Sequence, residues 1–73
     1  MPGTMEKKVE IQINGERKTI DACSVLGLLE KLDIDPRRVA IELNLEILPK
    51  SDYGTTTLRD GDRVEIVQFV GGG

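Results

Sequence analysis

The segment VEIQINGERKTI constrains this chain more than any other. Val9, Ile11 and Ile13 alternate with Glu10 and Gln12, the period of a strand with one face buried. Asn14-Gly15 then supplies the residues that tolerate positive φ, as the tight turn of a hairpin requires. Alternation resumes over residues 17–21, with Ile20 returning to the apolar face. A chain that starts this way builds a sheet and needs a second layer over its apolar side.

The period then changes. In SVLGLLEKLDIDP, the residues Val25, Leu28, Leu29 and Leu32 fall at helical spacing on one stripe. Ser24 is placed to cap the first turn, and Pro36 bars a helix from continuing past Asp35. Gly27 weakens the helix by about 1 kcal/mol relative to Ala, which suggests a close approach of helix to sheet. RVAIELNLEILP alternates again, with Val39, Ile41 and Leu43 on one face and Ala40 and Glu42 on the other. Asn44 suits a left-handed turn into a short strand over residues 46–48, before Pro49. KSDYGTTTL predicts an irregular segment with one helical turn, and Asp60-Gly61 a tight turn into a last strand, residues 63–70.

Hairpin, helix, short strands and a final strand make an α+β order. The arrangement that fits is the β-grasp: a mixed sheet of roughly four to five strands, one main helix across one face, and first and last strands parallel and central. Residues 1–7 lack periodicity and form either a native leader, with Met5 as an alternative start, or added sequence. Residues 8–70 are the domain and residues 71–73 a flexible glycine tail. With one Phe, one Tyr and no Trp among 73 residues, the core must be aliphatic.

The chain has 10 basic and 13 acidic residues, a net charge of −3, and no basic cluster beyond Lys7-Lys8 and Arg37-Arg38. Nucleic acid is therefore not an expected partner. No apolar run reaches the roughly 18 residues of a membrane span, and no apolar signal segment opens the chain. A single cysteine permits no internal disulfide, which fits the reducing cytoplasm.

Side-chain catalysis has little to work with. There is no His, so the commonest general base is missing. No metal site is expected. Asp60 and Asp62 flank a glycine as turn residues do, with an acid–base pair or divalent-ion site as the alternative. Cys23, just before the cap, is read as packing, or else as a reactive thiol beside a helix start. The expectation is a protein that is not itself an enzyme and binds no cofactor of its own.

The ending EIVQFVGGG is more informative. If Val64 and Ile66 face the helix, Val67 and Phe69 face the other way with Glu65. They then form either a docking patch or packing for neighbouring side chains. Gly71, Gly72 and Gly73 add no core and extend at most ~10 Å. The tail is either a frayed end or a bare thread that enters a partner's active site. The Gly73 carboxylate is ionised and a poor electrophile at neutral pH, so its chemistry needs activation by another protein, most simply as a mixed anhydride with a nucleotide phosphate.

NGE in the hairpin, VAIELNLEILP and LRDGDRVEIVQFVGGG together resemble the ThiS family of bacterial sulfur carriers for thiamin (thiazole) biosynthesis, over about residues 8–73. The resemblance implies a ubiquitin-like β-grasp whose final glycine, here Gly73, is adenylated by an E1-like (ThiF-like) adenylyltransferase that uses ATP. Sulfur from cysteine, through a cysteine desulfurase, then replaces AMP to give a thiocarboxylate, which serves thiazole synthase (ThiG-like). By position, Gly72 pairs with Gly73 in the diglycine motif and Gly71 precedes it. The small subunit of molybdopterin synthase shares fold, ending and chemistry, as do carriers for cysteine synthesis and tRNA thiolation. A ubiquitin-like protein modifier and a non-covalent regulatory module are the alternatives of other classes.

Overall fold

The computed structural model describes residues 7–69. Val70 and the tail residues Gly71, Gly72 and Gly73 lie outside them, as do residues 1–6. Strands β1 (Lys8–Ile13) and β2 (Glu16–Asp21) form the hairpin, followed by helix α1 (Val25–Lys31). A 3-10 turn (Pro36–Arg38) leads into β3 (Val39–Leu43) and β4 (Glu46–Leu48). A second 3-10 turn (Lys50–Asp52) precedes β5 (Arg63–Gln68). The sheet has five strands in the order β2-β1-β5-β3-β4. β5 runs parallel to β1 and antiparallel to β3. This is the β-grasp topology the pattern predicts.

The turn chemistry operates as expected at the hairpin, where Asn14 has φ 49° and Gly15 φ 85°. The Asn14 side chain does more than turn. Its Oδ1 accepts from the Ile66 N–H (2.7 Å) and its Nδ2 donates to the Ile66 carbonyl (3.3 Å). Backbone pairing of β1 with β5 spans Gln12↔Arg63 and Ile13↔Val64, so the amide extends that ladder beyond the strand. Asp60 and Asp62 are likewise bound into turns. Asp60 Oδ1 accepts from the Glu10 N–H (2.7 Å), while Asp62 accepts from Asn44 Nδ2 (3.0 Å) and from the Arg59 N–H (2.8 Å). These bonds join the β1, β3–β4 and pre-β5 segments.

The helix departs from expectation in two ways. Ser24 caps it, accepting from the Gly27 N–H at 3.0 Å, but it ends well before Pro36. Asp33, at φ 61°, takes the left-handed position. The Ile34 N–H then bonds the Leu29 carbonyl, and the Asp33 N–H bonds the Glu30 carbonyl, the Schellman pattern. Leu32 consequently leaves the apolar stripe and is 43% exposed, while Val25, Leu28 and Leu29 are buried. Gly27 approaches the preceding turn rather than the sheet: a Cβ there would sit 3.2 Å from the Cys23 Cβ. Cys23 packs against the core as a partly buried residue.

The core between α1 and the sheet is aliphatic, with one addition. Val9, Ile11, Val25, Leu28, Leu29, Val39, Ile41, Leu58 and Val64 are joined by buried Tyr53. Tyr53 comes from the segment predicted as irregular and donates its hydroxyl to the Val39 carbonyl at 3.4 Å.

The 3-10 turn Pro36–Arg38 is held by Asp35, which accepts from the Arg37 backbone N–H (2.9 Å) and from its guanidinium (2.9 and 3.1 Å). The Arg37 side-chain bonds and then its backbone bond lower the Asp35 carboxyl from 3.8 to about 2. A folded-state value below the unfolded one adds stability above pH 4, and this is lost as pH falls towards 2. Asp35→Asn is therefore expected to be less stable than the parent at pH 7, with the difference shrinking across that window. Denaturant melts of both proteins at pH 7, 4 and 2 check this, and an unchanging difference refutes it.

Candidate functional site

The open face of the sheet carries the surface around the expected docking residues. Along β5, Val64 is buried and Ile66 half-buried on the helix side, so Glu65 and Val67 face away from it. Val67 is 51% exposed and lies opposite Ala40 of β3. Phe69 follows the strand and is 58% exposed. Among the described residues, both side chains are more than half exposed.

The exposed apolar surface continues beyond them. Ile47 of β4 lies opposite Glu42, on the same face, and is 79% exposed. Leu45, in the turn before it, is 70% exposed at φ 71°, a backbone region costly for a leucine. The signal for Ile47 was present in sequence: once Leu48 faces inward, strand alternation turns Ile47 out. Nothing in the sequence marked Leu45 as exposed and strained.

This face sets two carboxylates side by side, with Arg63 two residues before Glu65 on the same face of β5. Glu42 and Glu65 are directly opposite across the β3–β5 ladder, an arrangement that costs stability in an isolated sheet. Neither belongs to the ion pairs of the described residues, which are Lys8–Asp21, Arg17–Glu10, Lys18–Glu16, Lys31–Asp21, Arg37–Asp35 and Arg38–Asp35. The face thus offers exposed apolar side chains beside two carboxylates that belong to none of these ion pairs.

The root of the carboxyl-terminal segment is tied down. The Phe69 N–H donates to the Arg38 carbonyl at 3.0 Å, one step past the Val39↔Gln68 pair. Lys50 Nζ sits 5.6 Å from the centre of the Phe69 ring and 5.9 Å from that of Tyr53. It also donates to the carbonyls of Val39 (2.8 Å) and Pro36 (3.2 Å). Sequence reasoning missed Lys50, because its partners are backbone carbonyls and rings distant along the chain.

Among the described residues, no group of three or more Cys, Asp or Glu is placed to hold a metal ion. No helix among them is long and apolar enough to cross a membrane.

Residues 8–73 match the model of the ThiS family. A thiazole synthase of Paramagnetospirillum magneticum is 48% identical over 66 residues, which are 89% of this chain but 20% of that protein. The chain thus spans about a fifth of that relative. The sulfur carrier protein ThiS of Bacillus subtilis is 37% identical over 65 residues, 86% of this chain and 98% of that one. Among solved structures, the crystal structure of a thiamine biosynthesis protein (ThiS) from Geobacter metallireducens superposes with a TM-score of 0.77 at 36% identity, covering 89% of this chain and 100% of that one.

Proposed function

The chain belongs to the ThiS family of sulfur carriers of thiamin biosynthesis, and from that premise we propose that its working group is the Gly73 carboxylate, used as a co-substrate by partner enzymes. The observation that carries this reading is the family match, which runs through residue 73. It favours the thiamin carrier over the small subunit of molybdopterin synthase, and over a modifier or regulatory module.

The proposed chemistry has two stages. A carboxylate oxygen of Gly73 attacks the α-phosphorus of ATP, held by an E1-like enzyme, and pyrophosphate leaves. This exchanges a poor electrophile for an acyl-adenylate, whose AMP is a good leaving group. A desulfurase-borne persulfide, whose outer sulfur comes from cysteine, then attacks the carbonyl carbon. The C–O bond to AMP breaks and AMP leaves; a thiol reductant then cleaves the S–S bond of the resulting acyl disulfide, is itself oxidised to a disulfide, and leaves the chain ending as a thiocarboxylate. Its sulfur is the nucleophile delivered to a thiazole synthase. A relative bearing that name contains a segment 48% identical to this chain, which supports the pairing.

The carrier's own residues supply docking and delivery. Val67, Phe69 and Ile47 present the apolar surface a partner covers. Glu42 and Glu65 ask for a cationic group on that partner, which would relieve their mutual repulsion. Gly71, Gly72 and Gly73 form the thread that reaches the reacting centre, since side chains would widen it.

Intact-mass measurement tests the reading. Incubated with an E1-like adenylating enzyme, ATP, cysteine, a desulfurase and a thiol reductant, the chain is expected to gain the mass difference of one oxygen replaced by sulfur, located at Gly73 by fragmentation. Higher-mass conjugates on lysines of other proteins, with no such gain, would make it a modifier instead.

A further inference from the structure

We propose that Lys50 is a positioning residue for the carboxyl-terminal segment. It clamps Phe69 from a separate part of the fold and so fixes the point from which the chain continues. This rests on the delivery role just described, and deepens it.

The clamp has two halves built on one turn. The 3-10 turn Pro36–Arg38 and the start of β3 present the carbonyls of Pro36, Arg38 and Val39. Lys50 Nζ takes the first and third, at 3.2 and 2.8 Å, and the Phe69 N–H takes the second at 3.0 Å. An ammonium carries three donors, and two are used here to hold its position. Its charge then lies 5.6 Å from the Phe69 ring centre, within the reach of a cation–π contact. The backbone of Phe69 is thus held by the turn, and its ring by a cation anchored to the same turn.

The last rung of a strand ordinarily opens at low free energy, because few contacts oppose fraying. Phe69 makes the last backbone bond of this ladder among the described residues and is 58% exposed, so packing alone holds it weakly. Were Phe69 released, the last fixed point of the chain would move back along β5, farther from the reacting carboxylate. The share of time spent in reactive alignment would fall, and small misplacements of a reacting group are costly in rate. Docking through Val67 and Ile47, which the release leaves in place, would be less affected. The clamp therefore belongs in kcat rather than in KM.

Lys50→Met keeps the aliphatic stem and removes the cation; Lys50→Arg restores a cation. In the full chain, K50M is expected to speed amide hydrogen exchange at Phe69 about tenfold, with the Val64 and Ile66 amides unchanged. In adenylation by the E1-like enzyme, its kcat should fall roughly tenfold while KM for the carrier stays within about twofold. K50R should recover most of both. F69L, which leaves the lysine–carbonyl bonds intact, should release the same amide, and K50M added to F69L should release it no further.

An unchanged amide at residue 69 in folded K50M overturns the clamp. Should K50M unfold, an amide as protected in F69L as in the parent overturns it instead. A released amide with unaltered kcat overturns the positioning role. If the parent chain is not adenylated at all, the sulfur-carrier reading fails instead, while the exchange measurements still decide whether the clamp exists.

Discussion

A chain bearing one extra alanine after Gly73 is expected to fold like the parent and to give essentially no acyl-adenylate. The added residue moves the carboxylate by up to about 3.5 Å along the backbone and puts a methyl group on a thread whose last three residues have no side chains. None of the core residues changes, since the core lies between α1 and the sheet, so the melting temperature should stay put. Transfer to phosphorus requires the attacking oxygen near van der Waals contact and in line. Displacement by a residue's length should therefore cost at least ~100-fold in kcat/KM. Pyrophosphate release with the E1-like enzyme measures the first step, and intact mass after addition of the sulfur source measures the second. The two readouts should fail together while circular dichroism melts coincide. Adenylation of the extended chain at the parent rate would show that the reacting carboxylate is not the one at Gly73.

The parts of this molecule legible in sequence are those specified by local chemistry. Asn14-Gly15 implies its turn because few residues accept positive φ, and both adopt it. Ser24 implies a cap because its hydroxyl is the nearest acceptor for a helix's free N–H groups, and it accepts one. The alternation in β3 and β5 implies which residues line the core, and hence that Val67 points away from it. What stayed hidden depends on partners far apart in the chain. Asn14 meets Ile66 across 52 residues, and Lys50 meets the carbonyls of Pro36 and Val39. The helix end stayed hidden for a different reason. Asp33 takes a left-handed conformation more often filled by glycine, so the helical stripe through Leu32 outweighed a stop signal that carries little weight in an aspartate. Gly27 shows the same limit from the other side: its need for space was legible, but not that Cys23, four residues back, fills it.

Replacing Val67 should separate docking from folding. The side chain is 51% exposed opposite the small Ala40, so little packing is lost on truncation, and surface changes of this kind generally shift stability by about 0.5 kcal/mol or less. In a complex, the same side chain would be covered on the open face, beside Ala40 and two residues before Phe69. Buried anchors there are worth about 2 kcal/mol or more, a factor of roughly 30 in affinity. Val67→Asp is expected to do worse than Val67→Ser. It removes apolar area and also adds a third carboxylate beside Glu42 and Glu65, which a partner must then desolvate. Steady-state adenylation should show KM for the carrier rising roughly 10-fold for V67S and at least ~30-fold for V67D, with kcat at saturation changed little. Leu32→Ser supplies the comparison: it removes an exposed apolar side chain at the end of α1, away from the open face, and should leave KM as in the parent. Equal KM values for V67D and the parent would mean that partners hold this carrier elsewhere. A common rise in V67S and L32S would mean that they respond to general surface polarity rather than to this face.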